Sequence, residues 1–129
     1  MLDHIMLNVS DFERSKAFYQ AALAPLGYEV RKQIERAAGF GVPHGHGTSP
    51  DPAGEFWITQ GPPQEPRVHV AFNAASRALV DAFHARALAA GGRDNGAPGL
   101  RTRYHANYYG AFVLDPDGYN VEAVCHLAP

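Results

Sequence analysis

The sequence predicts an α+β fold of two βαβββ repeats, and three observations carry that prediction. A strand-like run opening on a His passes directly into a helical run twice, at His4 and again at His69. Each His is followed about fifty residues later by a Glu in another strand-like run, Glu55 after His4 and Glu122 after His69. Between the halves, residues 61–66 (Gly61-Pro62-Pro63-Gln64-Glu65-Pro66) are too rich in proline for regular structure and read as a linker. The expected organisation is a single domain, 1–129, with a first module over 1–60 and a second over 67–129. The strands should form a curved mixed sheet, a half-barrel around a metal or ligand cavity, with the helices on its outer face.

Each element has a local reason. In the run from Leu2 to Val9, Ile5, Leu7 and Val9 share one apolar face while His4, Met6 and Asn8 share the other, as a period of two requires. Ser10 with Glu13 three residues on reads as a capping box. Phe12, Ala17, Phe18, Ala21 and Ala22 then form an apolar stripe that Pro25 and Gly27 end. Strands are expected around Tyr28 to Ile34, near Phe40, and from Glu55 to Gln60. In the second half Val68, Val70 and Phe72 oppose His69 and Ala71, and Ser76 caps a helix carrying Leu79, Val80, Phe83, Ala87 and Ala90. Gly91 and Gly92 end that helix in the left-handed conformation that glycine tolerates. Asp94 to Asn107, rich in Gly, Pro and Arg, reads as irregular. Tyr109 to Leu114 and Tyr119 to Val124 flank Asp115-Pro116-Asp117-Gly118, whose Pro and Gly suit a turn, and so read as a hairpin.

Composition narrows the class of function. At 129 residues, 46% hydrophobic and 19% charged, the chain has the balance of a globular domain able to bury its own core. A net charge of −2, with basic residues scattered, gives no electrostatic reason to expect nucleic acid or an anionic membrane. A small molecule is the expected partner. A single Cys125 excludes an internal disulfide, no apolar run approaches a membrane span, and the N-terminus enters a strand pattern without a leader, so the expected address is the cytoplasm.

The alternation places His4, Glu55, His69 and Glu122 on the face away from the helices. Phe56 and Ile58 flank Glu55 on the other parity, and Val121 and Ala123 flank Glu122 likewise. A carboxylate on a partly dry face needs a partner, because an unpaired buried charge costs several kcal/mol or is neutralised. A divalent cation is such a partner, and two imidazoles with two carboxylates suit Zn, Ni, Co, Mn or Fe(II) with coordination positions left for substrate. Trp57 shares the face of Glu55 two residues on, so Trp57 in place of Glu55 would leave a ligand set of two His and one Glu.

Three stretches resemble the vicinal oxygen chelate superfamily, which includes glyoxalase I, bleomycin and fosfomycin resistance proteins and extradiol dioxygenases. They are residues 3–11 (Asp3-His4-Ile5-Met6-Leu7-Asn8-Val9-Ser10-Asp11) running on to Phe18-Tyr19, residues 67–72, and residues 111–122 with the Asp-Pro-Asp-Gly hairpin before Glu122. The resemblance implies paired βαβββ modules around one divalent metal held by His4, His69 and Glu122, with Glu55 at the fourth ligand position of glyoxalase I. It also implies a homodimer. Two positions by which glyoxalase I holds glutathione, an arginine and an asparagine, are Asn8 and Thr59 here.

A metal chelating two vicinal oxygens stabilises an enediolate, and Glu122 or Glu55 beside it would move the proton, as a lyase or isomerase requires. An Fe(II) extradiol-type dioxygenase is the alternative, with Tyr104, His105, Tyr108 or Tyr109 assisting. A further alternative is a non-catalytic, bleomycin-resistance-like binding protein that holds a flat ligand between Phe56, Trp57, Tyr108 and Tyr109. Arg103, with Arg101, is placed to clamp a substrate carboxylate. His44-Gly45-His46-Gly47 reads as a mobile loop, Cys125 as buried, and His84 and His126 as solvated.

Overall fold

The computed structural model describes residues 1–129. Its elements are β1 (Ile5–Val9), α1 (Phe12–Leu23), a 3-10 turn (Ala24–Leu26), β2 (Glu29–Ile34), β3 (Ala37–Gly41), β4 (Phe56–Gln60), β5 (His69–Asn73), α2 (Arg77–Ala89), β6 (Arg93–Leu100), β7 (Tyr109–Leu114) and β8 (Asn120–Cys125). The strands form two four-stranded mixed sheets, ordered β1-β4-β3-β2 and β5-β8-β7-β6. In each sheet the first and last strands of the repeat pair in parallel and the other neighbours are antiparallel. The βαβββ repeat is therefore present twice.

Two local expectations are corrected. Asp11, not Ser10, caps α1, its carboxylate accepting from the Arg14 N–H at 3.2 Å. Ser10 is drawn elsewhere: its N–H donates to Asp117 Oδ2 at 3.1 Å and its hydroxyl to Oδ1. The stretch beginning at Asp94 is not irregular throughout, because Arg93–Leu100 forms β6. As the edge of its sheet, β6 tolerates Pro98 without a ladder N–H, and two register shifts around Gly96 absorb the glycines.

One apolar core serves both sheets. Leu7, Val9, Phe56 and Ile58 from the first sheet, Val70, Phe72, Val121 and Ala123 from the second, and Phe18, Tyr19, Val80 and Phe83 from the helices form a single buried cluster. The rings of Phe56 and Phe72 meet edge to face at 5.1 Å, and Tyr19 packs on Phe56 at 4.9 Å. Polar contacts add to this join. The buried Tyr19 hydroxyl donates to Asp115 Oδ2, and Tyr119 donates across the modules to the Asn8 carbonyl at 2.6 Å. The helix-side parity thus supplies the core, and His4, Met6, His69, Ala71 and Glu122 occupy the opposite face. No helix is long and apolar enough to cross a membrane.

Candidate functional site

His69 and Glu122 meet because β5 and β8 run parallel with Ala71 opposite Glu122. His69 lies two residues before Ala71 on the same face, and the small alanine leaves the imidazole a path to the carboxylate. The His69 Nε2 stands 3.0 Å from Glu122 Oε1, and its Nδ1 stands 2.9 Å from the Asn120 carbonyl oxygen. A carbonyl only accepts, so Nδ1 carries a proton. The neutral ring then turns the lone pair of Nε2 toward a carboxylate oxygen. Either a second proton or a cation must lie between them, and a backbone carbonyl orienting the far ring nitrogen is the usual support of a metal-ligating histidine.

Glu122 is 2% exposed, and its second oxygen accepts from the Tyr108 hydroxyl. Burial, followed by this hydrogen bond, holds the Tyr108 phenol well above its ordinary pKa, so it remains a donor. Gly110 makes room for the contact, since a Cβ there would lie 3.0 Å from Glu122 Oε2.

Glu55 and His4 lie near each other at the start of the first sheet, but the register is not that of His69 and Glu122. Glu122 stands opposite Ala71, two residues after His69, and the corresponding position, opposite Met6 two residues after His4, is Trp57, with Glu55 just before β4. The Tyr28 hydroxyl donates to Glu55 Oε1 at 2.7 Å, while Glu55 Oε2 is buried without a partner. Burial and this bond raise the Tyr28 pKa in turn. His4 is half exposed, its Nδ1 2.7 Å from Asp3 Oδ1. Both pair members line a cavity of about 120 Å³ walled by Ile5, Phe56, Val70 and Phe72. Within one chain no group of three or more His, Cys, Asp or Glu side chains gathers as a metal cage. The four expected ligands therefore lie as two separate pairs, each half of the expected set.

The other candidates divide. Trp57 is anchored by its N–H to the Gly54 carbonyl at 3.1 Å and borders a hollow with His4, Met6 and Asp51. Tyr104 packs on Tyr108 at 4.8 Å, and His105 meets Tyr108 edge-on at 5.4 Å, so both stand beside the residue that donates to Glu122. Arg103 lies over the Tyr104 ring at 5.0 Å. Tyr109 is carried away from the candidate site: its hydroxyl donates to Asp81 on α2 at 2.7 Å, and Arg77 covers its ring. Its parity with Ala111 and Val113 was the signal for that placement.

Two histidines expected to be solvated have partners. His126 Nδ1 lies 2.9 Å from His105 Nε2, and His84 Nε2 lies 3.0 Å from Asp94, whose carboxyl that contact holds below its usual range. His46 reaches across to Asn73 at 3.2 Å, tying the glycine-rich loop to β5. Cys125 is buried in the core. Tyr28, whose only sequence signal was its place after Gly27, is the partner of Glu55 that the sequence reading missed.

The family model of the Glyoxalase/Bleomycin resistance protein/Dioxygenase superfamily matches residues 1–123, and the chain belongs to that superfamily. A glyoxalase/bleomycin resistance protein from Albidiferax ferrireducens T118 is 31% identical, with a TM-score of 0.76 over 98% of each chain. Two more distant structures share the fold. One is a glyoxalase/bleomycin resistance protein/dioxygenase family enzyme from Burkholderia phytofirmans PsJN, at 21% identity and TM-score 0.68 over 98% of each chain. The other is the fosfomycin resistance protein FosX from Listeria monocytogenes, at 21% identity and TM-score 0.69 over 97% of this chain and 92% of that one. Among curated proteins there is no match.

Proposed function

We propose that this chain is a divalent-metal-dependent, glyoxalase-like enzyme that moves a proton on a small substrate chelated through vicinal oxygens. The observation that carries the reading is the His69 and Glu122 pair: an Nδ1 proton committed to a carbonyl leaves Nε2 and a buried carboxylate oxygen facing each other. His69 and Glu122 would hold the metal, Zn, Ni, Co, Mn or Fe, with His4 and Glu55 completing the set. A bound divalent cation supplies Lewis acidity at the two substrate oxygens.

The two carboxylates are suited to different work. Both oxygens of Glu122 are engaged, by His69 and by Tyr108, which suits a fixed ligand. Glu55 has one oxygen held by Tyr28 and one unpartnered beside a cavity, which suits a group that takes and returns a proton. Trp57 and Tyr108 would contact the substrate.

Because the two pairs do not meet in one chain, the reading includes a homodimer in which the first module of each copy faces the second module of the other. The single buried thiol suits a reducing, cytoplasmic address. Mixing His4→Ala with His69→Ala tests the shared site: every mixed dimer would contain one site free of either substitution. After subunit exchange, metal binding that both variants lack alone should return to about a quarter of the wild-type level. No recovery, with exchange confirmed by differential mass labelling, would contradict the shared site.

A second reading, Fe(II)-dependent ring cleavage, is favoured by Tyr104 and His105 clustered on Tyr108, the donor to Glu122. Oxygen uptake by Fe-loaded protein with catechol separates the two.

A further inference from the structure

Arg101 and Arg103 stand on the same side of the second sheet as His69 and Glu122. With Asn95, Tyr104, Phe112 and Asn120 they line a surface cavity of about 310 Å³ that contains no acidic residue. It adjoins the His69 and Glu122 pair directly. Phe112 lies opposite Glu122 across the β7 and β8 ladder, with its ring 6.1 Å from the His69 ring. The carbonyl that orients His69 belongs to Asn120, whose side chain accepts from Asn95 at 3.2 Å.

Neither guanidinium has a carboxylate partner. Arg101 is nevertheless held in place. Its Nη2 donates to the Ala97 carbonyl at 2.7 Å, its guanidinium lies 5.4 Å from the Phe112 ring centroid, and Gly96 and Gly99 give it space, since a Cβ on either would come within 3.2 Å of it. Arg103 donates to the Tyr104 hydroxyl at 3.1 Å and lies over that ring. An arginine stacked on an aromatic face has lost little of its capacity to donate and has already given up much of its rotamer freedom. Two such cations without a counter-charge, at the wall of a site, are arranged to receive an anion.

We infer that this cavity is an oxyanion subsite: Arg101 and Arg103 hold a carboxylate or phosphonate group of the substrate while its vicinal oxygens reach His69 and Glu122. The inference rests on the proposed metal centre for the second half of that statement and stands alone for the first. The substrate class becomes a small organic acid or phosphonate, with Tyr104 and Phe112 lining the path between its two ends. Such a clamp fixes orientation as well as affinity, because a planar fork matches an oxyanion in few ways.

The test uses metal-free protein, so that its failure is distinct from a failure to bind metal. Phenylphosphonate and benzoate are titrated in separate arms at low ionic strength, with neutral benzamide as the control. The reporters are the side-chain N–H resonances of Arg101 and Arg103. Saturable shifts with at least one anion and none with benzamide are expected, and the preferred anion identifies the head group. Arg101→Gln with Arg103→Gln should weaken binding at least tenfold, while Arg86→Gln, at an exposed arginine on α2 away from the cavity, leaves it within about twofold. The circular dichroism spectrum of the double variant should match that of wild type. No saturable shift with either anion, equal binding of benzamide, or full affinity in the double variant would overturn the subsite.

Discussion

His69 Nε2 and Glu122 Oε1 stand 3.0 Å apart on adjacent parallel strands, one half exposed and the other buried. The contact joins an imidazole whose other nitrogen is already committed to a carboxylate whose other oxygen is already taken. Such a pair has one remaining direction in which to act.

Tyr108 is the residue that fixes Glu122 from the far side. Tyr108→Phe leaves Glu122 Oε2 without its donor, and loss of a hydrogen bond to a ligating carboxylate typically weakens metal binding by about 10- to 100-fold. The same substitution should cost about 1–3 kcal/mol of stability, since a buried charged acceptor loses a partner. Competition against a chromogenic chelator measures the first effect and urea denaturation the second. Unchanged metal affinity would remove Tyr108 from the site.

Trp57 gives a spectroscopic handle on the first module, because it is the only tryptophan. Its ring lies over Gly39: a Cβ there would stand 2.5 Å from Trp57 Cε2 and 2.2 Å from the Ala53 carbonyl oxygen. The backbone oxygen cannot give way cheaply, so Gly39→Ala should cost at least about 2 kcal/mol and shift the emission of Trp57. A fully stable variant with wild-type emission would contradict this packing.

Asp115 makes stability depend on pH through the join between modules. Burial raises its pKa, outweighing the lowering effect of bonds from the Tyr19 hydroxyl and the Asp117 and Tyr119 N–H groups. The folded state therefore takes up this proton before the unfolded state does. The contribution of Asp115 to stability grows as pH falls through the raised folded value, and it levels off below the ordinary aspartate value of about 4. Asp115→Asn has no such titration. Melting temperature followed from pH 7 to 4.5 should show wild type gaining on the variant as pH falls, and a pH-independent gap would contradict the direction.

Much of the fold was legible because the alternation in β1, β4, β5 and β8 is clean: Leu7, Phe56, Val70 and Val121 all went to the core face that their parity required. The edge strand β6 was not legible, because its glycines and Pro98 carry a loop composition that only an edge position permits. Ser10 misled for a related reason, since its hydroxyl is claimed by Asp117, more than a hundred residues away. Around the candidate site, parity indicated the face of His69 and Glu122, but not the surroundings of Glu55, which precedes β4, accepts from Tyr28 and lines a cavity with the core residues Phe56 and Phe72. Nor could it indicate where the two modules bring their faces, which is a property of tertiary packing and of assembly. The seat of Arg101 on Gly96 and Gly99 was hidden by the same composition that hid β6.

The most direct test of the central claim is metal content. Untagged wild-type protein and His69→Ala, prepared without chelators and again after metals are added back, would be analysed by plasma mass spectrometry. The account predicts near one equivalent of divalent metal per chain in wild type and its loss in the variant. Wild-type protein that binds no metal even after add-back, or a variant that binds as much as wild type, would contradict it.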